Sequence, residues 1–560
     1  MKKIIFLFLI VCSDLSGLKT LTGQYYPFER VYLQTDKQLY LAGELVYMKV
    51  LTVTPEKKPL QFSKTVYVEL LDVENSRAQV IIGLTGGVGE GWLELPLSLS
   101  IGYYRLIAYT RFMRNETDSV FFEKNIAVVN TFQPGQIRTE PAPLIAGTHE
   151  QTASLLRTDK QQYRNREQGI LKLEQLPKNI HTLSVSIAGK EPEYVQGNTI
   201  NNWQPHSWGV PLRSPMPETV PYIPEYEGHI VTGKIIPVQT SLSGIDETLI
   251  PLLSFPGENL YLFEGKMNND IVSFYTHHHS AIKEMATTAL TESENKYRID
   301  LQSPFAVQHA KKQLPVLKVD SAYLEALLDR SVALQALHSY TKDSLILFRS
   351  GDNRFDMKPT NIYLLDNYTR FVVMNELIVE CVSQLRFRRN NMRKQELFLA
   401  TRKGDEILWL RPFVVLDGIP ILDHELIYRY DPLLVERINI YQGEYVYGGL
   451  MFDGIVEFLT YKRNYPSLTT DQSTQVTGYA GAQTPRQLYT PVYSNEKNLK
   501  SRLPDFRHTL LWEPAVKTNG KSSLEIKFFT SDFKGEFLVT VEGVTADGKI
   551  IFDTATFEVK

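Results

Sequence analysis

Short runs of apolar residues, separated by glycine, proline, asparagine or charged residues, predict β-strands along most of the chain. The segment from Tyr32 to Val129 holds several of them, among them VYLQTD, LVYMKVLTV and TVYVELLDV. Their length and spacing are typical of an all-β sandwich. The plentiful tyrosines (30) and phenylalanines (27) agree with this prediction, since aromatic residues favour strands.

One decapeptide occurs twice in the chain. Thr35–Glu44 reads TDKQLYLAGE, and Thr158–Glu167 reads TDKQQYRNRE. The second copy has Arg164–Arg166 where the first has Leu41–Gly43, and a catalytic motif would not survive that exchange. A strand–turn–strand start tolerates it, because glycine and asparagine both accept the backbone of a turn. We interpret each copy as the beginning of one β-sandwich.

Helical periodicity appears in two places. The first is Ser321–Tyr340, where leucines recur at helical spacing and predict a helix with one core face; the second is Arg370–Gln384. Further along, FVVLDGIPILD predicts a buried strand that enters a tight turn at Asp417-Gly418. The last stretch, from Ser523 to Lys560, again predicts strands.

The N-terminus has the pattern of an export signal. Lys2 and Lys3 precede an apolar run, Ile4–Val11, which is too short to span a bilayer. Cleavage after Gly23 is expected; Cys12 leaves a lipoprotein anchor as the alternative, although bulky Val11 stands where a small residue is usual. No later run of about 18 apolar residues predicts a transmembrane segment. We therefore expect an exported protein of the periplasm or outer membrane.

The composition of the chain bears on which classes of function are expected. The chain has 560 residues, 43% hydrophobic and 22% charged, with a net charge of −3. These are values of an ordinary globular protein, and they give no general case for nucleic-acid binding. Cys381 would be the single cysteine after cleavage, so no internal disulfide is expected.

Candidate chemistry is sparse. His277–His279 is the run most like a metal site, but successive strand side chains point to opposite faces, so a solvated turn is favoured. HELIY at His424 lacks the second histidine of a zincin motif. Cys381 lies in an apolar helical pattern, which favours an inert thiol. We expect no catalytic residues, no cofactor and no metal, and hence no enzyme.

Two segments are candidate binding sites. A loop carries two tryptophans, Trp203 and Trp208, which would bind a glycan or peptide if exposed, or would equally pin the loop to a sandwich. The second segment, RFRRNNMRK, is a basic hairpin that would contact lipid phosphate or an acidic partner, unless it is simply a solvated hairpin. Its basic residues are Arg386, Arg388, Arg389, Arg393 and Lys394.

Two resemblances to known families add to this interpretation. The decapeptide, with GYYRLIAYTRFMRNETDSVFFEKNIAVVN, resembles the macroglobulin-type domain of large exported Bacteroidota proteins. The stretch 413–462 resembles the plug domain of TonB-dependent outer-membrane receptors. No barrel-like pattern follows it, and no thioester motif surrounds Cys381, so neither transport nor covalent trapping is implied. The residues that match the plug motif are Asp417, Gly418, Pro420, Tyr447, Gly448 and Gly454.

The predicted fold is mainly β, with tandem macroglobulin- or Ig-like β-sandwiches, a helical connector and one small α/β plug-like domain. The predicted parts are a signal peptide (1–23), a first sandwich (24–132), a second sandwich with a proline-rich loop (148–226), a third (227–312), a helical connector (313–350), the plug-like domain (351–470) and a C-terminal sandwich (471–560).

The plug resemblance implies contact with outer-membrane proteins, among them a β-barrel. The leading hypothesis is a non-enzymatic binding or scaffolding protein of the cell envelope. The alternative is an accessory protein that captures glycan or peptide for nutrient uptake through Trp203 and Trp208.

Overall fold

The computed structural model describes residues 28–116, 118–133, 155–191, 199–203, 221–239, 244–276, 283–291, 296–319, 321–341, 346–348, 358–403, 406–447, 450–466, 468 and 472–560. The fold of these residues is mainly β, as the sequence predicts. None of the helices in them has both the length and the apolar character needed to cross a membrane.

The first sandwich consists of two sheets, ordered β1-β3-β6 and β2-β8-β7-β4-β5. Its core includes the fully buried Tyr40, Tyr67 and Tyr109. Its strands are β1 (Arg30–Thr35), β2 (Leu39–Leu41), β3 (Leu45–Val53), β4 (Thr65–Leu71), β5 (Ser76–Gly83), β6 (Val88–Glu94), β7 (Gly102–Tyr109) and β8 (Phe122–Val129).

The chain then enters a second sandwich and a curled sheet before it reaches the long helix. The second sandwich begins with β9 (Leu156–Thr158), β10 (Gln162–Tyr163), β11 (Gln168–Leu173) and β12 (Ile180–Gly189). The curled sheet begins with β13 (Ile230–Pro237), β14 (Ile250–Ser254), β15 (Leu262–Asn268), β16 (Ile271–Tyr275), β17 (Glu284–Leu290) and β18 (Tyr297–Leu301). The long helix is α1 (Ser321–Thr341), and β19 (Ile346–Phe348) follows it.

The region predicted to be plug-like, 351–470, mixes strands and short helices in its described part, and we keep the name plug-like region for it. In chain order it contains β20 (Asn361–Leu364), α2 (Met374–Cys381), β21 (Leu385–Arg389), β22 (Gln395–Lys403), β23 (Glu406–Leu410), β24 (Phe413–Leu416), β25 (Ile419–Pro420), α3 (His424–Tyr428), β26 (Val435–Tyr441), β27 (Tyr445–Tyr447), β28 (Leu450–Phe452) and β29 (Ile455–Thr460). The last elements are β30 (Thr474–Gly478), β31 (Arg486–Leu488), α4 (Glu496–Leu499), β32 (Thr509–Glu513), β33 (Leu524–Phe529), β34 (Gly535–Thr545) and β35 (Ile550–Val559).

The structure joins the predicted second sandwich, 148–226, with the predicted C-terminal sandwich, 471–560. Their strands share two sheets, β10-β35-β34-β12-β32 and β33-β11-β9. Strand β12 pairs with β34 along its whole length, from Ile180 to Gly189. The physical reason is that β9 to β12 leave unpaired strand edges and an incomplete core, and the C-terminal strands pair with those edges and complete the core. One sandwich therefore replaces two.

The remaining parts are nested between the two halves of this sandwich. The region predicted as a third sandwich, 227–312, is one curled sheet, ordered β18-β13-β16-β15-β14-β17-β30. Its edge strand β30 follows the plug-like region in sequence, so that region is an insertion into the curled sheet. The helix α1 packs Leu327 against the outer side of the first sandwich, whereas Leu328, predicted to share its core face, is 41% exposed.

The first decapeptide closes a hydrogen-bond motif around Asp36. The Asp36 carboxylate accepts hydrogen bonds from the Tyr40 hydroxyl at 2.8 Å and from the backbone N–H of Tyr47 at 3.1 Å. The Glu44 carboxylate accepts the backbone N–H of Leu41 at 3.0 Å. Each carboxylate thus satisfies a buried backbone donor and ties the turn to the strand that follows it.

The second copy makes the same motif at the same sequence intervals. Asp159 accepts hydrogen bonds from the Tyr163 hydroxyl at 2.7 Å and from the backbone N–H of Ile170 at 2.6 Å. Glu167 accepts the backbone N–H of Arg164 at 2.6 Å. The repeated residues are those that make these bonds, so the decapeptide is a structural motif that begins each sandwich.

The environments of the two copies differ. The first is buried because β1 and β3 have a second sandwich on their outer face, where the Tyr32 hydroxyl donates to Glu542 at 2.6 Å and Thr509 donates to Asp36 at 3.0 Å. Asp159, in contrast, is exposed. Burial of the first copy raises the pKa of Asp36, while the neighbouring Lys37 opposes the shift.

The two copies should therefore contribute unequally to stability. Asp36→Ala leaves buried donors unsatisfied, and we expect it to lower the free energy of unfolding by about 3 kcal/mol. Asp159→Ala exposes its donors to water and should lower it by about 1 kcal/mol. Urea unfolding of both variants measures the difference; equal losses would contradict it.

Lys49 lies on the face of β3 that contacts the second sandwich, and it is 4% exposed. Burial lowers the pKa of Lys49 to about 7, while the Glu542 and Glu90 carboxylates oppose the shift. The unfolded chain, in which this lysine has its ordinary pKa of 10.5, therefore binds more protons between pH 7 and 10.5.

Stability should therefore rise with pH in this window, by up to about 1.4 kcal/mol per pH unit from this side chain. The variant Lys49→Met removes the titrating group, so its unfolding free energy should rise less between pH 7 and 9 than that of the parent. Urea unfolding at each pH measures it, with the exposed Lys172→Met as control. Parallel curves for parent and Lys49→Met would overturn the expectation.

Candidate functional site

A small sheet, ordered β21-β22-β23, forms the outer layer of the plug-like region. Its inner face places Leu385, Leu397 and Leu399 in a core shared with α2, α3 and the larger sheet β20-β26-β29-β24-β25. Apolar residues alternate with basic and polar ones along β21 and β22, so burial of one face leaves the other exposed.

The buried side of the sheet is fixed by a histidine. The Nδ1 atom of His424, at the start of α3, accepts a hydrogen bond from the backbone N–H of Leu397 at 3.1 Å. Burial lowers the pKa of His424 to about 3, with a further contribution from Arg411. The imidazole is therefore neutral at pH 7 and anchors α3 to β22.

The hairpin predicted within RFRRNNMRK is present. Strand β21 pairs with β22 in antiparallel register, from Leu385 opposite Leu399 to Arg389 opposite Gln395. At the tip, the Asn390 side chain accepts hydrogen bonds from the backbone N–H of Met392 at 2.9 Å and of Lys394 at 3.0 Å. The tip is thereby ordered.

The outer face of this sheet is basic and aromatic, and we name it the basic sheet face. Arg386 lies directly opposite Phe398, and Arg402 lies opposite Ile407. Arg388, Arg402 and Ile407 are exposed, and Ile407 is 65% exposed. The residues of the basic sheet face are Arg386, Arg388, Glu396, Phe398, Ala400, Arg402, Ile407 and Trp409.

Cation–π contacts organise this face. The Arg386 guanidinium carbon lies 3.2 Å from the centroid of the Trp409 ring. Arg388 lies 5.6 Å from the Phe398 ring and 5.8 Å from the Trp409 ring. Two positive charges are thus held over aromatic surface, an arrangement suited to anionic groups on a partner.

The other predicted basic residues lie around this face. Arg389 is exposed at the end of β21 and belongs to the opposite side of the strand from Arg388. Arg393 adopts a positive φ of 63° in the hairpin tip. Lys394 forms an ion pair with Asp423 at 2.7 Å. The structure therefore brings together only Arg386 and Arg388 of the five, and adds Arg402.

The sequence interpretation missed Phe398, Arg402, Ile407 and Trp409 as parts of the site. They lie on the two strands that follow the basic hairpin. The available signal was the alternation in QELFLATRK and EILWL, which places these side chains on one face only if the strand register is known.

Trp203 is buried, which corrects the prediction of an exposed ligand-binding tryptophan. It is 8% exposed, and its ring centroid lies 5.2 Å from that of Tyr32 and 6.1 Å from that of Phe122. The ring fills apolar space beside the contact between the sandwiches, so it pins its segment, as the alternative proposed. Trp208 lies outside the described residues, as do His277–His279.

The plug-motif residues have structural roles at the contact with the curled sheet. Asp417 and Gly418 have φ values of 45° and 81° and form the two-residue turn between β24 and β25. The Asp417 carboxylate accepts hydrogen bonds from the backbone N–H and the hydroxyl of Thr460 at 2.8 and 2.6 Å. A Cβ on Gly418 would lie 2.4 Å from the Phe255 backbone oxygen, so only glycine permits this close approach.

The remaining plug-motif residues also lie in secondary structure or its turns. Pro420 is buried in β25. Gly454 has a φ of 122°, and a Cβ there would lie 2.4 Å from Leu399. Tyr447 belongs to β27, which pairs with β28, and Gly448 lies outside the described residues. Cys381 is half-buried at the end of α2, and burial raises the pKa of its thiol.

Comparisons with known proteins identify no family. No family model matches the chain, and no curated protein matches it. Solved structures similar to it include a Salmonella alpha-2-macroglobulin reacted with methylamine, with 9% identity and a TM-score of 0.24 over 95% of this chain and 40% of that one.

Two further solved structures are also similar to this chain. The Escherichia coli alpha-2-macroglobulin activated by porcine elastase has 11% identity and a TM-score of 0.25, over 95% of this chain and 44% of that chain. The Escherichia coli adhesin FdeC has 9% identity and a TM-score of 0.14, over 52% and 64%. This chain thus spans less than half of those two alpha-2-macroglobulins.

The anchoring role of His424 predicts a specific acid sensitivity. Its folded pKa of about 3 lies below the ordinary 6.5, so the unfolded chain binds more protons between these values and stability falls as pH decreases from 6.5. His424→Asn keeps an acceptor for Leu397 without titrating. Its unfolding free energy should fall less between pH 6.5 and 4.5, measured by urea unfolding; an unchanged acid dependence would refute the assignment.

Proposed function

We propose that the protein is a non-enzymatic binding and scaffolding protein of the cell envelope, which docks a partner protein on the basic sheet face. The observation that carries the proposal is the pairing of Arg386 and Arg388 with Trp409 and Phe398 on an exposed sheet. Arginine and tryptophan are the residue types most enriched where protein interfaces gain their affinity.

The surroundings of this face support the proposal. The plug-like region contacts the curled sheet through apolar side chains, among them Leu252, Leu260, Phe413 and Val415. An ion pair between Arg437 and Glu258 at 3.0 Å adds to that contact. These contacts hold the region that carries the basic sheet face in place, which limits the conformational entropy that this chain loses when a partner binds.

The location and the partner in this proposal rest on the sequence predictions. The predicted export signal supports a location in the periplasm or at the outer membrane, and the plug resemblance supports an outer-membrane protein as the partner, including a β-barrel. The basic sheet face is suited to an acidic surface on that partner. We propose no catalytic residue, cofactor or metal for this function.

Site-specific photo-crosslinking in cells tests the proposal. With p-benzoylphenylalanine in place of Met392, at the 74% exposed hairpin tip, we expect a covalent adduct with a protein of the outer-membrane fraction. The same residue in place of Val307, 88% exposed on a distant part of the chain, is the matched control and should give none. Absence of an adduct at Met392, or equal adducts at both positions, would overturn the proposal.

Arg386→Ser combined with Arg388→Ser should reduce the adduct by about tenfold, because both charges over the aromatic rings are lost. Arg389→Ser, on the opposite side of β21, is the control for general loss of charge. Equal reductions in the two cases would indicate non-specific electrostatic attraction instead of docking on the basic sheet face.

A further inference from the structure

Strand β23 is an edge of its sheet, and its outward hydrogen-bonding groups can be assigned. The backbone N–H of Ala400 donates to the Gln384 carbonyl at 2.9 Å, so the polar groups of Ala400 point toward β21. Trp409 lies directly opposite Ala400 on β23. When two residues lie opposite each other in an antiparallel pair and one turns its backbone polar groups away from the other, the other does the same. The backbone N–H and C=O of Trp409 therefore point to the open side of β23.

The direction of the backbone polar groups alternates along a strand, so it is the same for Ile407, two residues before Trp409. Its N–H and C=O also point away from β22, whereas those of Leu408 point into the ladder. The outer edge of β23 therefore offers donors and acceptors at Ile407 and Trp409, and no strand among the described residues pairs with it.

The apolar part of β23 contains no lysine, no proline and no bulge. After Glu406 the strand reads ILWL, with Ile407 65% and Leu408 36% exposed. Proteins commonly protect such edges with lysine, proline or a bulge. An exposed apolar edge without these features is a template for an added strand.

The arginine side chains near β23 determine which kind of added strand would fit. Arg386 places its guanidinium over Trp409, and Arg402 lies opposite Ile407 on the same face. The carboxylate on this face, that of Glu396, accepts a hydrogen bond from Asn390 at 3.1 Å. Side chains of an added strand next to Ile407 and Trp409 would meet this positive charge, so acidic residues are favoured there.

We propose that β23 is a docking edge for an extended, acidic segment of the partner protein, which adds as a strand through the backbone groups of Ile407 and Trp409. This inference rests on the proposed function and specifies its mode. A second copy of this chain fits less well, because edge-to-edge pairing would bring the arginines of both copies together.

A designed peptide tests the mode with the full chain. The probe is a fluorescein-labelled ten-residue peptide with alternating glutamate and threonine, and fluorescence anisotropy measures its affinity. Ile407→Pro removes an outward N–H but leaves the ladder to β22 intact, and should weaken binding about tenfold or more. Ile407→Thr keeps the N–H and should bind within about threefold of the parent.

Two altered peptides test strand addition even if the Ile407→Pro variant fails to fold. Methylation of alternate backbone nitrogens should abolish binding, and replacement of the glutamates by lysine should weaken it about tenfold or more. Binding that is unaffected by Ile407→Pro or by methylation would overturn strand addition. So would binding to phosphatidylglycerol vesicles but not to the peptide, or concentration-dependent dimerisation of the chain that Ile407→Pro abolishes.

Failure of this mode and failure of the proposed function give different results. If the Met392 adduct persists in cells that carry Ile407→Pro, docking on the basic sheet face stands and strand addition is wrong. If the parent chain gives no adduct at Met392, the proposed function itself is wrong.

Discussion

The buried polar contact between the first two sandwiches is the constraint on which the rest of the structure depends. Strands β1 and β3 have their own core on one face and the second sandwich on the other, so both faces of these two strands are buried. Polar groups in such a place are tolerated only when partnered, as Tyr32 is by Glu542 and Asp36 by Thr509. These partners come from the C-terminal strands, so the chain must return to complete the contact.

A clamp of charges extends this contact to the long helix. Arg330 of α1 binds both carboxylate oxygens of Glu44 at 2.8 and 2.7 Å and also pairs with Glu191, beyond β12. Burial would raise the pKa of Glu44, but Arg330 and Lys37 lower it to about 2. One guanidinium thus links the first decapeptide, the helix and the second sandwich. Replacement of Arg330 by an uncharged residue would remove this cation from two buried carboxylates, those of Glu44 and Glu191.

The nested insertion explains how the candidate site is carried. The plug-like region enters and leaves between strands of the curled sheet, and the curled sheet lies between the two halves of the second sandwich. Each insertion is therefore attached at both ends to a packed sheet. The tight approach of Gly418 to Phe255 fixes where the inserted region contacts its host. The basic sheet face lies on the far side of that region's core, where a partner can reach it.

The strands, the Asp417-Gly418 turn, the basic hairpin and the repeated motif are predictable from the sequence, because each depends on residues close together in the chain. Asp36 and Asp159 make the same bonds for this reason. Tertiary structure alone decided which strands share a sheet, since β12 and β34 lie far apart in sequence and many partners satisfy the same alternating pattern. Tertiary structure also decided which polar side chains are buried. Lys49 and Arg386 both alternate with apolar residues, yet Lys49 is buried between the sandwiches, whereas Arg386 lies over Trp409 on an outer face. Local pattern specifies two faces of a strand, but only packing specifies what covers each of them.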